Sequence, residues 1–196
     1  MRKILFVGNS YTYYNDMPST MLVPKAEERG ITCQVTAVTR GAWTLEKFAD
    51  PKDEEGARLR SVIAGEHYDC VILQEQSCRP VEKPEAFFQA VGDLKALLRE
   101  QTEGFLLYAT WGRKAGSEKL TELGLTSEEM TERLAAAYEE AGSRYGMPVA
   151  HVGRAFAAYL AEHPDAELYH PDRSHPSLLG SEIAAETILT ALMSRT

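Results

Sequence analysis

The run Lys3-Ile4-Leu5-Phe6-Val7, broken by Gly8-Asn9-Ser10, decides how the rest of the chain is read. Four consecutive apolar residues leave no polar face, so a strand built from them is buried on both sides. Such strands belong to parallel sheets whose two faces are covered by helices. The same punctuation recurs downstream. Residues 31–38 alternate toward a second strand, 69–73 form a third, 104–111 a fourth and 149–152 a short fifth. Between them run segments with helical spacing of apolar residues. Residues 17–29 form one, kinked at Pro24 and ended by Gly30. Residues 43–64 are mixed, with 54–63 the most helical part, and 84–99 place Phe87, Phe88, Val91, Leu94, Leu97 and Leu98 inward. Thr126-Ser127-Glu128-Glu129 is a capping box that starts a helix reaching about Tyr145. Residues 155–160 form another helix. Pro176 opens the last, whose apolar face carries Leu179, Ile183, Leu189 and Leu192. Residues 112–125, polar and glycine-containing, read as a surface loop near the top of the sheet, either a lid over the site or a solvated loop. The expectation is one flavodoxin-like three-layer α/β/α domain over residues 1–196, built on a five-stranded parallel sheet.

Bulk properties narrow the function. With 196 residues, 44% hydrophobic and 26% charged, the chain can bury one sizeable core. Its formal net charge of -8 repels phosphate backbones and anionic lipid, which argues against nucleic acid and membrane partners. The opening MRKILFVGNS lacks the longer apolar region and cleavage site of a secretory signal. Cys33, Cys70 and Cys78 are odd in number and show no CxxC spacing, as expected of reduced thiols in a cytoplasmic protein. Oligomeric state is not legible.

Ligands of open parallel sheets bind at the carboxyl ends of the strands. Those ends deliver Gly8-Asn9-Ser10-Tyr11-Thr12, Thr39-Arg40-Gly41-Ala42-Trp43, Gln74-Glu75-Gln76-Ser77, Trp111, and, after the fifth strand, Tyr169 through Pro176. Ser10 leaves a buried strand in a turn that exposes its hydroxyl, although a serine there also suits a helix cap. Asp172 and His175 are three apart before the last helix, and Pro176 holds His175 out of helical geometry. A carboxylate on one imidazole nitrogen and a hydroxyl on the other make a nucleophilic triad. Taken singly, Asp172 is also a cap and His175 a surface histidine. Their joint occurrence with Ser10 favours acyl transfer.

On these residues the sequence resembles the SGNH/GDSL hydrolases over nearly its whole length. Gly8-Asn9-Ser10 matches the Gly-Asp-Ser or Gly-Asn-Ser motif that carries the nucleophile, with Asn9 in place of the commoner Asp. Gly41 matches the glycine whose N–H serves the oxyanion hole, and Asp172 and His175 match the family's DxxH. Gln74-Glu75-Gln76-Ser77 stands where Gly-x-Asn-Asp is usual, as in a divergent subgroup with Gly-Asn-Ser-Tyr/Phe-Thr and Leu-Gln-Glu-Gln-Ser. Aligned on Val71-Ile72-Leu73, Gln76 takes the place of the donor Asn, and Gln74, on the same side of an extended chain, is the alternative. The resemblance implies a serine esterase with oxyanion donors from Ser10, Gly41 and Gln76 and no cofactor; short acyl groups, acetyl above all, are the substrates expected. Tyr11, Tyr13, Tyr14, Trp43 and Trp111, with Gln74, Arg40, Arg79 and Arg113, surround these strand ends and suggest a sugar face or aryl ester as the substrate.

Three other readings compete. His170, Asp172 and His175 form a cluster of metal-ligand types, but no second cluster and no HExxH accompanies it. A nucleotide or flavin module lacks both GxGxxG and GxxxxGK[ST]. A non-catalytic binder of small molecules or carbohydrate on the same fold is kept open by the altered third-strand motif.

Overall fold

The computed structural model describes residues 1–194. Strand β1 (Arg2–Gly8) lies between β2 (Cys33–Thr39) and β3 (Cys70–Leu73), followed outward by β4 (Phe105–Ala109) and β5 (Val149–His151). The order is β2-β1-β3-β4-β5 and every pairing is parallel. Ile4 sits opposite Val35 on one side and Cys70 on the other. From β1 the chain moves out to β2, then crosses back over β1 to β3 and continues in the opposite direction. The loops after β1 and β3 therefore diverge and leave a crevice at the carboxyl edge.

Strand alternation divides the core. Leu5, Val7, Leu73 and Leu107 point to one face, Ile4, Phe6, Ile72 and Leu106 to the other, and all are buried. Helices α3 (Leu45–Ala49), α4 (Glu54–Ile63), α6 (Pro84–Leu98) and α8 (Ser127–Tyr145) cover the first face through Phe48, Leu59, Phe87 and Tyr138. The second is covered by residues 17–22, α9 (Val152–Glu162) and α10 (Leu178–Met193), through Met17, Leu22, Phe156 and Ile188. The remaining helices α1 (Ser10–Tyr13), α2 (Val23–Glu28), α5 (Arg79–Glu82) and α7 (Glu118–Leu123) are short. The three-layer α/β/α architecture is the one expected.

Local differences have local causes. The kink expected at Pro24 is absorbed by a π turn over Pro18–Leu22, closed by the Val23 N–H on the Pro18 carbonyl. Pro24 then falls in the first turn of α2, where a missing N–H is harmless. Residues 112–125 are not the open loop expected. They contain α7, whose Leu120 packs with Met130, Leu134 and Cys78 in a small third core. The segment is also tied down by the Lys114 N–H on the Arg173 carbonyl (3.0 Å) and by Arg173 on the Gly116 carbonyl. The fifth strand stops at His151, and the helix expected over 155–160 runs from Val152 to Glu162. Among the described residues no disulfide joins the cysteines, and no helix is long and apolar enough to cross a membrane.

Candidate active site

At the end of β1, Gly8 has no room for a side chain: a Cβ would lie 2.7 Å from Gln74 Oε1 and 2.8 Å from Thr12 Oγ1. Asn9 follows as the N-cap of α1, its Oδ1 accepting from the Tyr11 N–H (3.1 Å) and its Nδ2 donating to the Trp43 carbonyl (3.2 Å). Capping thus falls to Asn9. Ser10 becomes the first helical residue, whose own N–H has no intrahelical acceptor. Its side chain faces a cleft of about 140 Å³ shared with Ala42, Gln76, Ser77, Arg113 and His175.

The last loop reaches the same cleft. His175 Nε2 lies 2.8 Å from Ser10 Oγ, and His175 Nδ1 lies 2.6 Å from Asp172 Oδ2. With Nδ1–H donating to the carboxylate, the neutral ring offers Nε2 as acceptor for the serine hydroxyl. Asp172 Oδ1 accepts the backbone N–H groups of Ser174 and His175, both at 2.9 Å. Partial burial pushes the Asp172 carboxyl up. The His175 ring and these two N–H groups outweigh it and hold the carboxyl well below the usual carboxylate range. His170 Nδ1 stands 3.2 Å from the same Oδ2, and Tyr14 stacks on the His175 ring at 4.5 Å. The three residues that suggested a metal cluster are instead committed to one another and to Ser10 by hydrogen bonds.

The loop after β3 separates the two glutamines. Gln76 Oε1 accepts the N–H groups of Cys78 (2.9 Å) and Arg79 (3.1 Å), which fixes the amide with its NH₂ toward the cleft, 3.3 Å from Ser77 Oγ. Gln74 is buried and fully engaged: its Oε1 accepts from the Asn9 N–H and the Thr12 hydroxyl, both at 2.9 Å, and its NH₂ donates to the Glu75 carbonyl. It braces the turn that carries Ser10 and does not line the cleft. Gly41 lies in the tight turn from Arg40 to Trp43, closed by the Trp43 N–H on the Arg40 carbonyl (3.2 Å), with Ala42 at φ +62° beside the cleft.

Of the five aromatic residues at these strand ends, Tyr11 and Trp111 are buried, Tyr14 and Trp43 half-buried, and Tyr13 exposed. Trp111 is fully buried, stacked between Tyr11 (4.7 Å) and Phe156 (4.4 Å), and its indole donates to the Ser174 carbonyl (3.0 Å). Tyr11 is nearly buried; it edges the cleft and bonds Ser174 Oγ at 2.8 Å. Trp43 is held between Arg40 and Lys47, with its indole donating to Asp53 (2.9 Å). Neither tryptophan forms the platform expected for a sugar or aryl group, because helix α9 and two cations already occupy their faces. Ser174 escaped sequence reasoning altogether; its place between Asp172 and His175 was the available signal.

A scan against protein-family models and a search of curated proteins return no match. Solved structures do match. A protein from Slackia heliotrinireducens assigned to the SGNH hydrolases is 33% identical, aligned over 97% of this chain and 98% of its own, with a TM-score of 0.83. A DUF4886 family protein from Bacteroides uniformis has the same TM-score at 18% identity, over 99% and 83% of the two chains. An acetylxylan esterase from Geobacillus stearothermophilus reaches 0.67 at 16% identity, over 97% and 94%. The last two are likenesses of fold alone.

Proposed function

Since the chain belongs to the SGNH hydrolase family, we propose that it is a serine esterase acting on short-chain esters, acetyl foremost, with Ser10, His175 and Asp172 as its triad. One observation carries the proposal: the unbroken hydrogen-bonded line from Ser10 Oγ through His175 to Asp172, at 2.8 and 2.6 Å. His175 takes the Ser10 proton as the oxygen attacks the ester carbonyl, and Asp172, held ionised, stabilises the imidazolium. The Ser10 and Gly41 N–H groups and the Gln76 amide stabilise the tetrahedral oxyanion. The protonated His175 then releases the alcohol, and water activated by the same ring frees the acyl group. The small cleft supports a short acyl chain. A carbohydrate alcohol is left out of the proposal: of the five aromatic residues that suggested it, Trp111 is stacked on Tyr11 and Phe156 and Trp43 lies under Arg40 and Lys47.

The test is hydrolysis of p-nitrophenyl acetate together with labelling by a fluorophosphonate, located by peptide mass spectrometry. The wild-type protein turns over the ester and carries the label on Ser10; Ser10→Ala loses both while melting at an unchanged temperature. Wild-type turnover in Ser10→Ala overturns the assignment. An inert, unlabelled wild-type protein would instead favour a binding role.

A further inference from the structure

Arg113 stands apart from the other arginines at this end of the sheet. Arg40 and Arg79 are neutralised by Glu54 and Glu46. Arg113 lines the catalytic cleft, half-buried, and among the described residues no carboxylate pairs with it. Its Nη2 donates to Ser77 Oγ (2.8 Å) and lies 4.0 Å from Cys78 Sγ, while its buried Nε has no hydrogen-bond partner. A guanidinium carries five N–H donors in a planar fork and keeps its charge at any working pH. Withdrawing it from water with a neutral hydroxyl as its main partner is costly. In a chain with 29 acidic residues against 21 basic ones, a carboxylate would be easy to supply from within. None is supplied here, and the residue lines the cleft.

Resting on the esterase reading, we propose that Arg113 and Ser77 bind a carboxylate carried by the substrate, so that the preferred esters are anionic. Ser77 Oγ fixes where that charge must lie. It touches both Arg113 and the NH₂ of Gln76, at 2.8 and 3.3 Å, so the anion site adjoins the oxyanion donor. The carboxylate therefore sits a few bonds from the scissile carbonyl, either on the acyl group, as in a dicarboxylic half-ester, or on the alcohol, as in an acylated hydroxy acid. The reaction is ordinary hydrolysis. The acyl carbon–oxygen bond breaks, water gives its hydroxyl to the acyl carbon and a proton to the alcohol, and the bound carboxylate is unchanged.

Two matched pairs of esters distinguish the sources: monomethyl succinate against methyl butyrate for the acyl side, and acetoxyacetate against propyl acetate for the alcohol side. In one pair the wild-type kcat/KM favours the anion, and Arg113→Met lowers that preference about 10- to 100-fold, the range for a lost hydrogen bond to a charged group. Arg113→Lys, which keeps charge without the fork, falls between. A wild-type preference for the neutral ester in both pairs overturns the proposal, as does an equal loss on both members in Arg113→Met. The esterase reading stands or falls on p-nitrophenyl acetate; if wild type hydrolyses none of the four, calorimetric titration of Ser10→Ala with monomethyl succinate decides the anion site. Binding that Arg113→Met abolishes supports it; no binding overturns it.

Discussion

At the scale of single residues, the divergence of the third-strand motif comes down to which glutamine has a free proton. Gln74 spends its oxygen on Asn9 and Thr12 and its nitrogen on Glu75, so removing it loosens the nucleophile turn. Gln76 has its oxygen pinned by two backbone N–H groups, which leaves its NH₂, 3.3 Å from Ser77 Oγ, as the donor of a side chain that lines the cleft with Ser10. Gln76→Ala should therefore lower kcat on p-nitrophenyl acetate by about 10²–10³-fold, with little change in KM. Gln74→Ala should mainly lower the melting temperature. Kinetics and thermal melts of the two variants check this, and a large kcat loss confined to Gln74→Ala would transfer the role. The pairing of Asp172 with His175 was legible in the sequence because three residues close within one turn. The choice between the glutamines was not, because it depends on bonds to Cys78, Arg79 and Asn9 that no spacing reveals.

At the scale of elements, the loop from Tyr169 to Pro176 delivers two of the three proposed triad residues, and its shape is imposed from outside. The His170 N–H on the His175 carbonyl (2.8 Å) closes it, and Asn15 Nδ2 holds the Pro176 and Ser177 carbonyls. Trp111, at the end of β4, holds its middle through the Ser174 carbonyl (3.0 Å). Trp111→Phe keeps an aromatic ring between Tyr11 and Phe156 but leaves that carbonyl unsatisfied, at a cost of about 1–3 kcal/mol. A fall in melting temperature of roughly 2–4 °C per kcal/mol is expected, with a lower kcat at constant KM as His175 loses its fixed position. A wild-type melting temperature and kcat would remove Trp111 from this role. The sequence placed all five strands, since runs such as Ile4–Val7 and Val71–Leu73 have no polar face to offer solvent. It misjudged Trp111 because the rings that bury it, Tyr11 and Phe156, are 100 and 45 positions away in the chain. It misread residues 112–125 because α7 is held by Met130 and Leu134 of α8 more than by its own composition.

At the scale of the whole molecule, the carboxyl edge holds a buried acid that the proposed chemistry does not use. Glu75, two residues past the end of β3, has no exposed surface, its carboxylate accepting the N–H groups of Leu45 (3.1 Å) and Gln76 (2.6 Å). Burial drives its pKa up to about 7 in spite of those two bonds and of Arg79. The unfolded chain releases the same proton near pH 4.3. Between those values the folded protein holds more protons than the unfolded one, so stability falls as pH rises through this window and levels off above it. Asp172 acts in the opposite sense: its lowered carboxyl contributes stability above about pH 4 that is lost only on strong acidification. Glu75→Gln retains an oxygen for Leu45 and Gln76 but has no proton to lose. Its urea midpoint should match wild type near pH 4 and exceed it above pH 7, by on the order of 3 kcal/mol once converted through the m-value. Midpoints measured from pH 4 to 8.5 decide the matter. Parallel curves for the two proteins would mean that Glu75 is ionised at little cost in the folded state, and that the decline with pH, if one is seen, arises from repulsion within a chain of net charge -8.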